Sequence, residues 1–166
     1  MNSRQLYEDD FFAWSEHQAA VLRRMGEMPS RLPNDLDIEH VVEEIEDLGR
    51  SERQAAESAI RLILVHLIKL AVAPTALTTR HWRKEIVSFQ IELLARLTPS
   101  MAGRIEIDRV WRLAKREARA SVDEEDGGTE TALGIWALAR CPLDLATLAD
   151  DDIDIDRAVD RLRADP

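Results

Sequence analysis

Residues 60–73, with the sequence IRLILVHLIKLAVA, are apolar around nearly the whole circumference of a helix, and only Arg61, His66 and Lys69 interrupt them. A helix that is apolar on every side is normally buried at the centre of a domain. The stretch is shorter than the roughly 20 residues that cross a bilayer, so it does not indicate a membrane span. The sequence therefore predicts a central, buried helix over these residues.

The helical pattern extends towards the N-terminus as far as Asp37, a residue type that commonly caps a helix start. Apolar residues recur at the spacing of one helix face along the whole segment, and Pro74 ends it. Gly49 lies inside the pattern, where glycine costs about 1 kcal/mol relative to alanine. The sequence predicts a long helix over 37–73 and leaves open whether this helix bends or breaks at Gly49.

Three further helices are predicted from the same apolar spacing. One of them begins at Thr98, because a threonine followed by Pro99 is a typical helix start. The turn before it is very short, which favours antiparallel neighbours. The three segments are 9–25, capped by Asp9 or Asp10; 80–97, capped by Thr78 or Thr79; and a helix over residues 98–122.

The last part of the chain has weaker helical patterns. Residues 123–128, DEEDGG, have the composition of a solvated loop, and short helices are predicted within 142–150 and 156–163. Runs of alternating β-branched residues, which predict strands, do not occur in the sequence. We therefore expect an all-α fold, a helical bundle of about four main helices with short C-terminal helices. Residues 1–152 are expected to form a single domain, and 153–166 an acidic C-terminal extension.

The formal net charge of the chain is −10, and it is unevenly distributed. Residues 1–78 carry a net charge of −6, residues 79–122 carry +5 and residues 123–166 carry −9. A negative chain repels phosphate backbones at long range, so this distribution disfavours binding to nucleic acid. We expect the basic middle block to face the acidic blocks of the same chain.

Cys141 is the only cysteine, so the chain has no disulfide framework. The N-terminal sequence MNSRQLYEDD lacks the basic start and the apolar stretch of a secretory signal. Both features are typical of a protein of a reducing cytoplasm, and we expect no membrane partner. We interpret Cys141 itself as a structural, half-buried thiol.

Four segments together resemble a known bacterial family. They are YEDDFFAWSEHQAAVLRR, DIEHVVEEIEDLGRSERQAAESAIRLILVHLIKLAV, RHWRKEI and CPLDLATLADDD, and they extend from Tyr7 to Asp152. The most specific part is EEIEDLG, residues 43–49, with the residues that follow it towards His66 and Lys69. By these segments the chain is similar to the family catalogued as domain of unknown function 29. The resemblance implies a compact helical bacterial protein without an established biochemical activity, and it supplies no catalytic residues.

A metal site is one hypothesis for the acidic start of the long helix. His40 lies one helical turn from Glu43 and Glu44, and an imidazole and a carboxylate at this spacing can hold a divalent transition metal if a facing helix adds a ligand. His66 is a candidate for that ligand. A continuous helix would place Glu44 and His66 about 33 Å apart, because each residue adds about 1.5 Å. The alternative is a solvated acidic face that suits the positive end of the helix dipole.

Other polar residues are interpreted structurally. We expect His66 to be a core histidine that hydrogen-bonds to a carbonyl or a carboxylate, rather than an acid-base group. Trp82, which lies among cations at residues 81–84, is interpreted as a core anchor rather than a stacking platform for a base. The basic side of the helix after Thr98 is expected to be solvated and neutralised by acidic segments. Its cations are Arg104, Arg109, Arg112, Lys115, Arg116 and Arg119.

The sequence lacks a glycine-rich phosphate loop, a nucleophile elbow and a paired-cysteine metal signature. Together with the charge blocks of opposite sign, this favours a non-enzymatic helical module that binds a protein partner or a second copy of itself. The alternative hypothesis is a metal-binding or metal-dependent hydrolytic bundle that uses the four histidine and glutamate candidates, with a bound divalent metal as its only cofactor.

Overall fold

Helices make up the regular secondary structure, and no strand occurs among residues 3–28, 32–122 and 124–164, which are the residues described by the computed structural model. This confirms the predicted all-α fold. In chain order the helices are α1 (Ser3–Asp9), α2 (Phe11–Gly26), α3 (Ile38–Val72), α4 (Thr79–Arg96), α5 (Pro99–Ala102), α6 (Ile107–Arg119), α7 (Glu124–Gly127), α8 (Glu130–Ala137), α9 (Leu145–Leu148) and α10 (Ile155–Ala164).

The longest of these helices are α2, α3, α4 and α6, which are the four main helices expected from the sequence. The shorter helices expected near the C-terminus are α9 and α10. None of the described helices is long and apolar enough to cross a membrane.

Contacts within the chain divide it into two compact units. The first unit contains Met1–Ala55 and Arg96–Ile105, and the second contains Ala56–Ala95 and Glu106–Pro166. Helix α3 is shared, because its first half belongs to the first unit and its second half to the second.

Helix α3 runs from Ile38 to Val72 without a break at Gly49. Its second half is buried, as the apolar run predicts. Side chains of this half are removed from water on successive turns, which supplies much of the hydrophobic stabilisation of the second unit. The side chains that are fully buried are Ile60, Ile63, Leu64, Leu67 and Ile68.

Gly49 permits a close approach between α3 and α2 in the first unit. A Cβ atom added at Gly49 would overlap with Ser15 Oγ and would lie 3.2 Å from Ser15 Cβ. Ser15 is itself buried, and its hydroxyl donates a 2.8 Å hydrogen bond to the carbonyl of Phe12. The glycine is therefore required by the packing of two helices, and it does not interrupt the helix that contains it.

Asp10 joins the start of helix α2 to the start of helix α5. Its Oδ1 accepts hydrogen bonds from the amide of Ala13 (2.9 Å) and from the hydroxyl of Ser100 (2.7 Å), and its Oδ2 accepts from the amide of Ser100 (3.1 Å). Burial by itself would raise the pKa of this carboxyl, but the hydrogen bonds from Ala13 and Ser100 outweigh burial and lower the pKa. The ionised form is thus the one that the fold stabilises.

We expect Asp10→Ala to reduce the free energy of unfolding by about 2 kcal/mol or more at neutral pH, because a helix cap and charge-assisted hydrogen bonds are lost together. Since the pKa is lower in the folded state, this contribution is present above the unfolded-state pKa and disappears as the pH falls through the folded-state pKa. Urea unfolding of both proteins from neutral to acidic pH measures the difference. A difference that stays constant in acid would contradict this role for the carboxylate.

Helix α10 closes the C-terminal end of α3 in the second unit. Arg163 donates from Nε to the carbonyl of Ala71 and from a terminal nitrogen to the carbonyl of Leu70, each over 3.2 Å. Carbonyls in the last turn of a helix have no partner within the helix, so these hydrogen bonds satisfy two of them. Three residues of α10 are also buried: Ala158, Val159 and Leu162.

The segment predicted as one helix over residues 98–122 forms two helices. Helix α5 starts as predicted, with Thr98 as its N-cap, but it ends at Ala102, and helix α6 begins only at Ile107. Gly103 follows α5 and favours this break, because glycine is a poor helix former. The prediction of a single helix is therefore wrong at this point.

Three short helices, α1, α7 and α8, lie where no helix was predicted. Helix α7 occupies part of the segment predicted as a solvated loop, and the preceding Asp123 lies outside the described residues. Helix α1 precedes the first predicted helix, and the ring of its Tyr7 packs edge-on against Phe11 and Trp14 at centroid distances of 5.5 and 4.8 Å. Short helices of this kind depend on tertiary packing more than on local sequence.

Candidate interaction surface

Several arginines of the basic block at residues 79–122 face carboxylates of the acidic blocks, as expected. Exposed ion pairs contribute about 0–1 kcal/mol each, so these pairs orient the side chains more than they stabilise the fold. Each pair lies within one of the two units. The pairs are Arg83 with Asp156, Arg96 with Glu52 (2.9 Å), Arg104 with Glu16 (3.2 Å) and Arg109 with Glu57.

Helix α6 carries three arginines that lack such a partner. Arg112, Arg116 and Arg119 are exposed, and their side chains make no ion pair or hydrogen bond with any group whose position the structure describes. Their spacing places them on one side of the helix. Acidic segments therefore neutralise Arg104 and Arg109, as expected, but the described residues do not neutralise these three.

A groove of about 440 Å³ lies beside this row of arginines. It is lined by Arg116 and Ala120 together with Arg61, Leu113 and Glu117. Glu117 accepts a hydrogen bond from Arg61, so its carboxylate already has a partner. Leu113 is 42 % exposed, which leaves a large apolar side chain open to solvent. We call Arg112, Leu113, Arg116 and Arg119 the basic α6 face.

A second groove, of about 380 Å³, shares Arg116 and is also lined by Lys115, Arg119 and Trp136. Lys115 Nζ donates to the carbonyl of Trp136 (3.1 Å) and to the carbonyl of Leu138, at the end of helix α8. Burial lowers the pKa of Lys115. This lysine is therefore a structural cap of α8, and the arginines beside it are the charges that a ligand or partner would meet.

An exposed face of opposite charge lies on the first half of helix α3. Val41, Ile45 and Leu48 recur at the spacing of one helix face, and Val41 and Leu48 are 38 % and 52 % exposed. Glu44 lies on the same face and makes no ion pair with another described residue. We call these four residues the acidic α3 face. Both faces thus combine exposed apolar side chains with charge, and the charges have opposite signs.

The comparisons with known proteins agree with the architecture. The model of the family described as domain of unknown function DUF29 matches residues 6–152. The chain belongs to the DUF29 family. The structure is also similar to the crystal structure of an alpha-helical protein of unknown function from Rhodospirillum rubrum, with 40 % sequence identity and a TM-score of 0.84 over 94 % of this chain and 96 % of that chain. A comparison with curated proteins finds no match.

Neither the DUF29 family description nor the description of the Rhodospirillum rubrum protein assigns a function. The Rhodospirillum rubrum structure supports the helical fold, and the identity of 40 % over almost the whole length makes that support strong. The functional interpretation of this DUF29 chain therefore depends on its own side chains.

The four metal-site candidates lie in different environments. His40 is exposed, and its Nδ1 lies 2.6 Å from Asp37 Oδ2; this hydrogen bond, together with nearby carboxylates, raises the pKa of the imidazole. Glu43 and Glu44 are exposed on the turn that follows, and His66 belongs to the second unit. Among the described residues no group of three or more histidine, cysteine, aspartate or glutamate side chains is arranged to hold a metal. The metal site stays a prediction.

His66 differs from the hydrogen-bonded core histidine that the sequence analysis predicts. Its Nδ1 is buried and has no hydrogen-bond partner in the described structure, and its ring stacks on Phe89 at a centroid distance of 5.9 Å. Burial, and then the charge of Lys69, lower the pKa of the imidazole to about 4. The imidazole is therefore mainly neutral at physiological pH, and its ring packs face to face on the ring of Phe89.

Cys141 agrees with its structural interpretation, whereas Trp82 is half-buried and does not belong to the buried core in which it was expected. The Cys141 side chain is half-buried, and burial raises the pKa of its thiol to about 11, so the reactive thiolate is scarce at neutral pH. Trp82 is partly buried, with Lys69 Nζ at 5.9 Å from the ring centroid. Neither residue supports a catalytic role in this DUF29 chain.

Proposed function

We propose that this DUF29 chain is a non-enzymatic helical interaction module of the bacterial cytoplasm, and that it binds a second copy of itself through the basic α6 face. The observation that carries the proposal is the row of three exposed arginines, which have no partner among the described residues of a chain whose net charge is −10. Complementary charges at an interface speed association and select the partner. The basic α6 face can therefore attract an acidic protein surface, and a second copy of this acidic chain offers one.

The acidic α3 face supplies that surface on the second copy. It places Glu44 beside Val41 and Leu48, just as the basic α6 face places arginines beside Leu113. Interfaces commonly bury apolar side chains at the centre and keep charged groups around them. Nucleic acid is a weaker candidate partner, because a polyanion is repelled by the rest of the chain.

Two further observations support a bacterial cytoplasmic setting. The single cysteine is a free thiol, and the fold of the described residues needs no disulfide. The similar alpha-helical protein comes from the bacterium Rhodospirillum rubrum.

The test is the mass of the full chain in solution, measured by size-exclusion chromatography with light scattering over a series of protein concentrations at low and high ionic strength. We expect a dimer at low salt that dissociates as salt is added, because exposed charges are screened. The variant R112A/R116A/R119A is expected to weaken self-association by about threefold or more, because it removes the cation that pairs with Glu44 and the two positive charges beside it.

A matched control is the variant R24A/K84A/R140A, which removes the same charge from exposed positions outside the basic α6 face. It should dimerise like the wild type. Mixing Arg116→Glu with Glu44→Arg should restore association that each variant alone has lost. A wild-type chain that stays monomeric at every concentration and salt, or a triple variant that dimerises normally, would refute the proposal.

A further inference from the structure

A pocket of about 400 Å³ lies in the first unit, beside the contact between Gly49 and Ser15. Its floor consists of Phe12, Ser15 and Gly49, all of which are buried. Charged side chains from α2, from α3 and from the turn after α5 form its walls. The volume falls within the range of about 300–1,000 Å³ that is usual for small-molecule sites.

Three arginines line this pocket from two separate parts of the chain. Arg50 and Arg53 lie one turn apart on α3, and Arg104 lies in the turn that follows α5. The side chains of Arg50 and Arg104 are 54 % and 61 % exposed, so they can turn towards a bound molecule. Each guanidinium presents paired N–H donors in one plane, which match the oxygens of a phosphate or a carboxylate.

The carboxylates at the pocket already have cationic partners. Glu46 lies 2.7 Å from Arg23, which is outside the lining, so its charge is balanced without the pocket arginines. Glu16 lies 3.2 Å from Arg104. Exposed ion pairs of this kind are weak and exchange with a ligand that offers more charge. Arg50 likewise pairs with Asp47, which is outside the lining, so a ligand would exchange with this pair as well. The lining itself contains three guanidiniums and two carboxylates.

We infer that this pocket binds a small phosphate-bearing molecule, with the phosphate held by Arg50, Arg53 and Arg104 and the remainder of the molecule over Phe12. The dianion of a phosphate ester provides three terminal oxygens and two negative charges, which suits three guanidiniums at one pocket better than a single carboxylate does. The inference does not depend on the proposed self-association, because none of these residues belongs to the basic α6 face or to the acidic α3 face.

The test is an NMR titration of the full chain that follows the arginine Nε–H resonances. The probes are inorganic phosphate, glycerol 3-phosphate and acetate, each at constant ionic strength and pH. We expect the phosphate probes to shift the resonances of Arg50, Arg53 and Arg104 to saturation, with acetate binding about tenfold more weakly or worse. Tighter binding of glycerol 3-phosphate identifies a phosphate ester as the ligand class, and equal binding identifies free phosphate.

Variants separate binding from folding. Arg104→Gln should weaken phosphate binding about tenfold or more, because it removes a charged hydrogen-bond donor, and Arg104→Lys should recover part of the loss. Arg24→Gln removes the same charge from an exposed position on α2 outside the lining and should leave the affinity unchanged. The inference is overturned if acetate binds as well as phosphate, if Arg24→Gln weakens binding as much as Arg104→Gln, or if phosphate shifts only Arg112, Arg116 and Arg119.

Discussion

Removal of the residues after Asp152 is expected to unfold much of the second unit, although the DUF29 match ends at that residue. The shortened chain lacks helix α10, including the buried Val159 and Leu162 and the hydrogen bonds from Arg163 to the end of α3. Truncation of one buried leucine side chain to alanine alone costs about 2–5 kcal/mol. Since whole domains are stable by only about 5–15 kcal/mol, the loss of the entire helix removes a large part of the total.

Tryptophan fluorescence and hydrogen exchange can locate this loss. Trp82, Trp111 and Trp136 report on the second unit and Trp14 reports on the first, so single-tryptophan versions of the full and shortened chains can be compared during urea unfolding. The last turn of α3 should lose its protection against exchange. Arg157→Ala, at an exposed position of α10, should change the stability by no more than about 0.5 kcal/mol. Unchanged melting of the shortened chain would show that α10 is dispensable.

Gly49→Ala is expected to destabilise the first unit, whereas alanine normally strengthens a helix. The new Cβ would overlap with Ser15 Oγ, so Ser15 must give up its hydrogen bond to the Phe12 carbonyl or the two helices must move apart. Overpacking of this kind costs about 1–3 kcal/mol, which outweighs or cancels the gain of about 1 kcal/mol in helix propensity. Gly49→Leu should be worse than Gly49→Ala. Thermal and urea unfolding monitored by circular dichroism measure both effects.

Gly103→Ala is the matched control for this prediction. The added Cβ would lie 3.9 Å from its nearest neighbour, the carbonyl oxygen of Ser100, and Gly103 has a right-handed helical conformation. The free energy of unfolding of the Gly103→Ala protein should be higher than that of the wild type by about 0.4–1 kcal/mol. The double variant Ser15→Gly with Gly49→Ala removes the hydroxymethyl group of Ser15 that the new methyl group would overlap, and it should recover most of the loss. A Gly49→Ala protein as stable as Gly103→Ala would contradict the close approach.

Local signals in the sequence were sufficient for most helix positions. Thr98 followed by Pro99 starts α5 as predicted, and the apolar run at residues 60–73 is buried as predicted. The break between Ala102 and Ile107 was not predicted. From the sequence alone, Gly103 is compatible with a continuous helix as well as with a helix that ends. Gly49 illustrates the same limit: in the sequence it suggests an interruption, and only the position of a serine on another helix explains it.

The candidate sites were less predictable than the helices, because both depend on which charges meet after folding. Arg112, Arg116 and Arg119 were recognised as basic, but the sequence could not show that the acidic side chains pair with their neighbours instead. Of the pocket arginines, only Arg104 was singled out from the sequence, as one cation of the basic side of the helix after Thr98. Arg50 and Arg53 lie on α3, where Arg50 also pairs with Asp47. Their convergence on one cavity is a tertiary property.

The contact between Arg163 and the carbonyl of Ala71 spans 92 positions of the chain. A ribosome adds about 5–20 residues per second. Roughly 5–20 s therefore pass between the synthesis of the apolar second half of α3 and the synthesis of Arg163, which hydrogen-bonds to the end of that helix. All residues of the first unit have been made once Ile105 has been added, well before that. The nascent chain therefore passes through a stage in which one unit has all its residues and the other still exposes its most apolar segment. Molecular chaperones that bind apolar segments have their best opportunity to act on this protein during that interval.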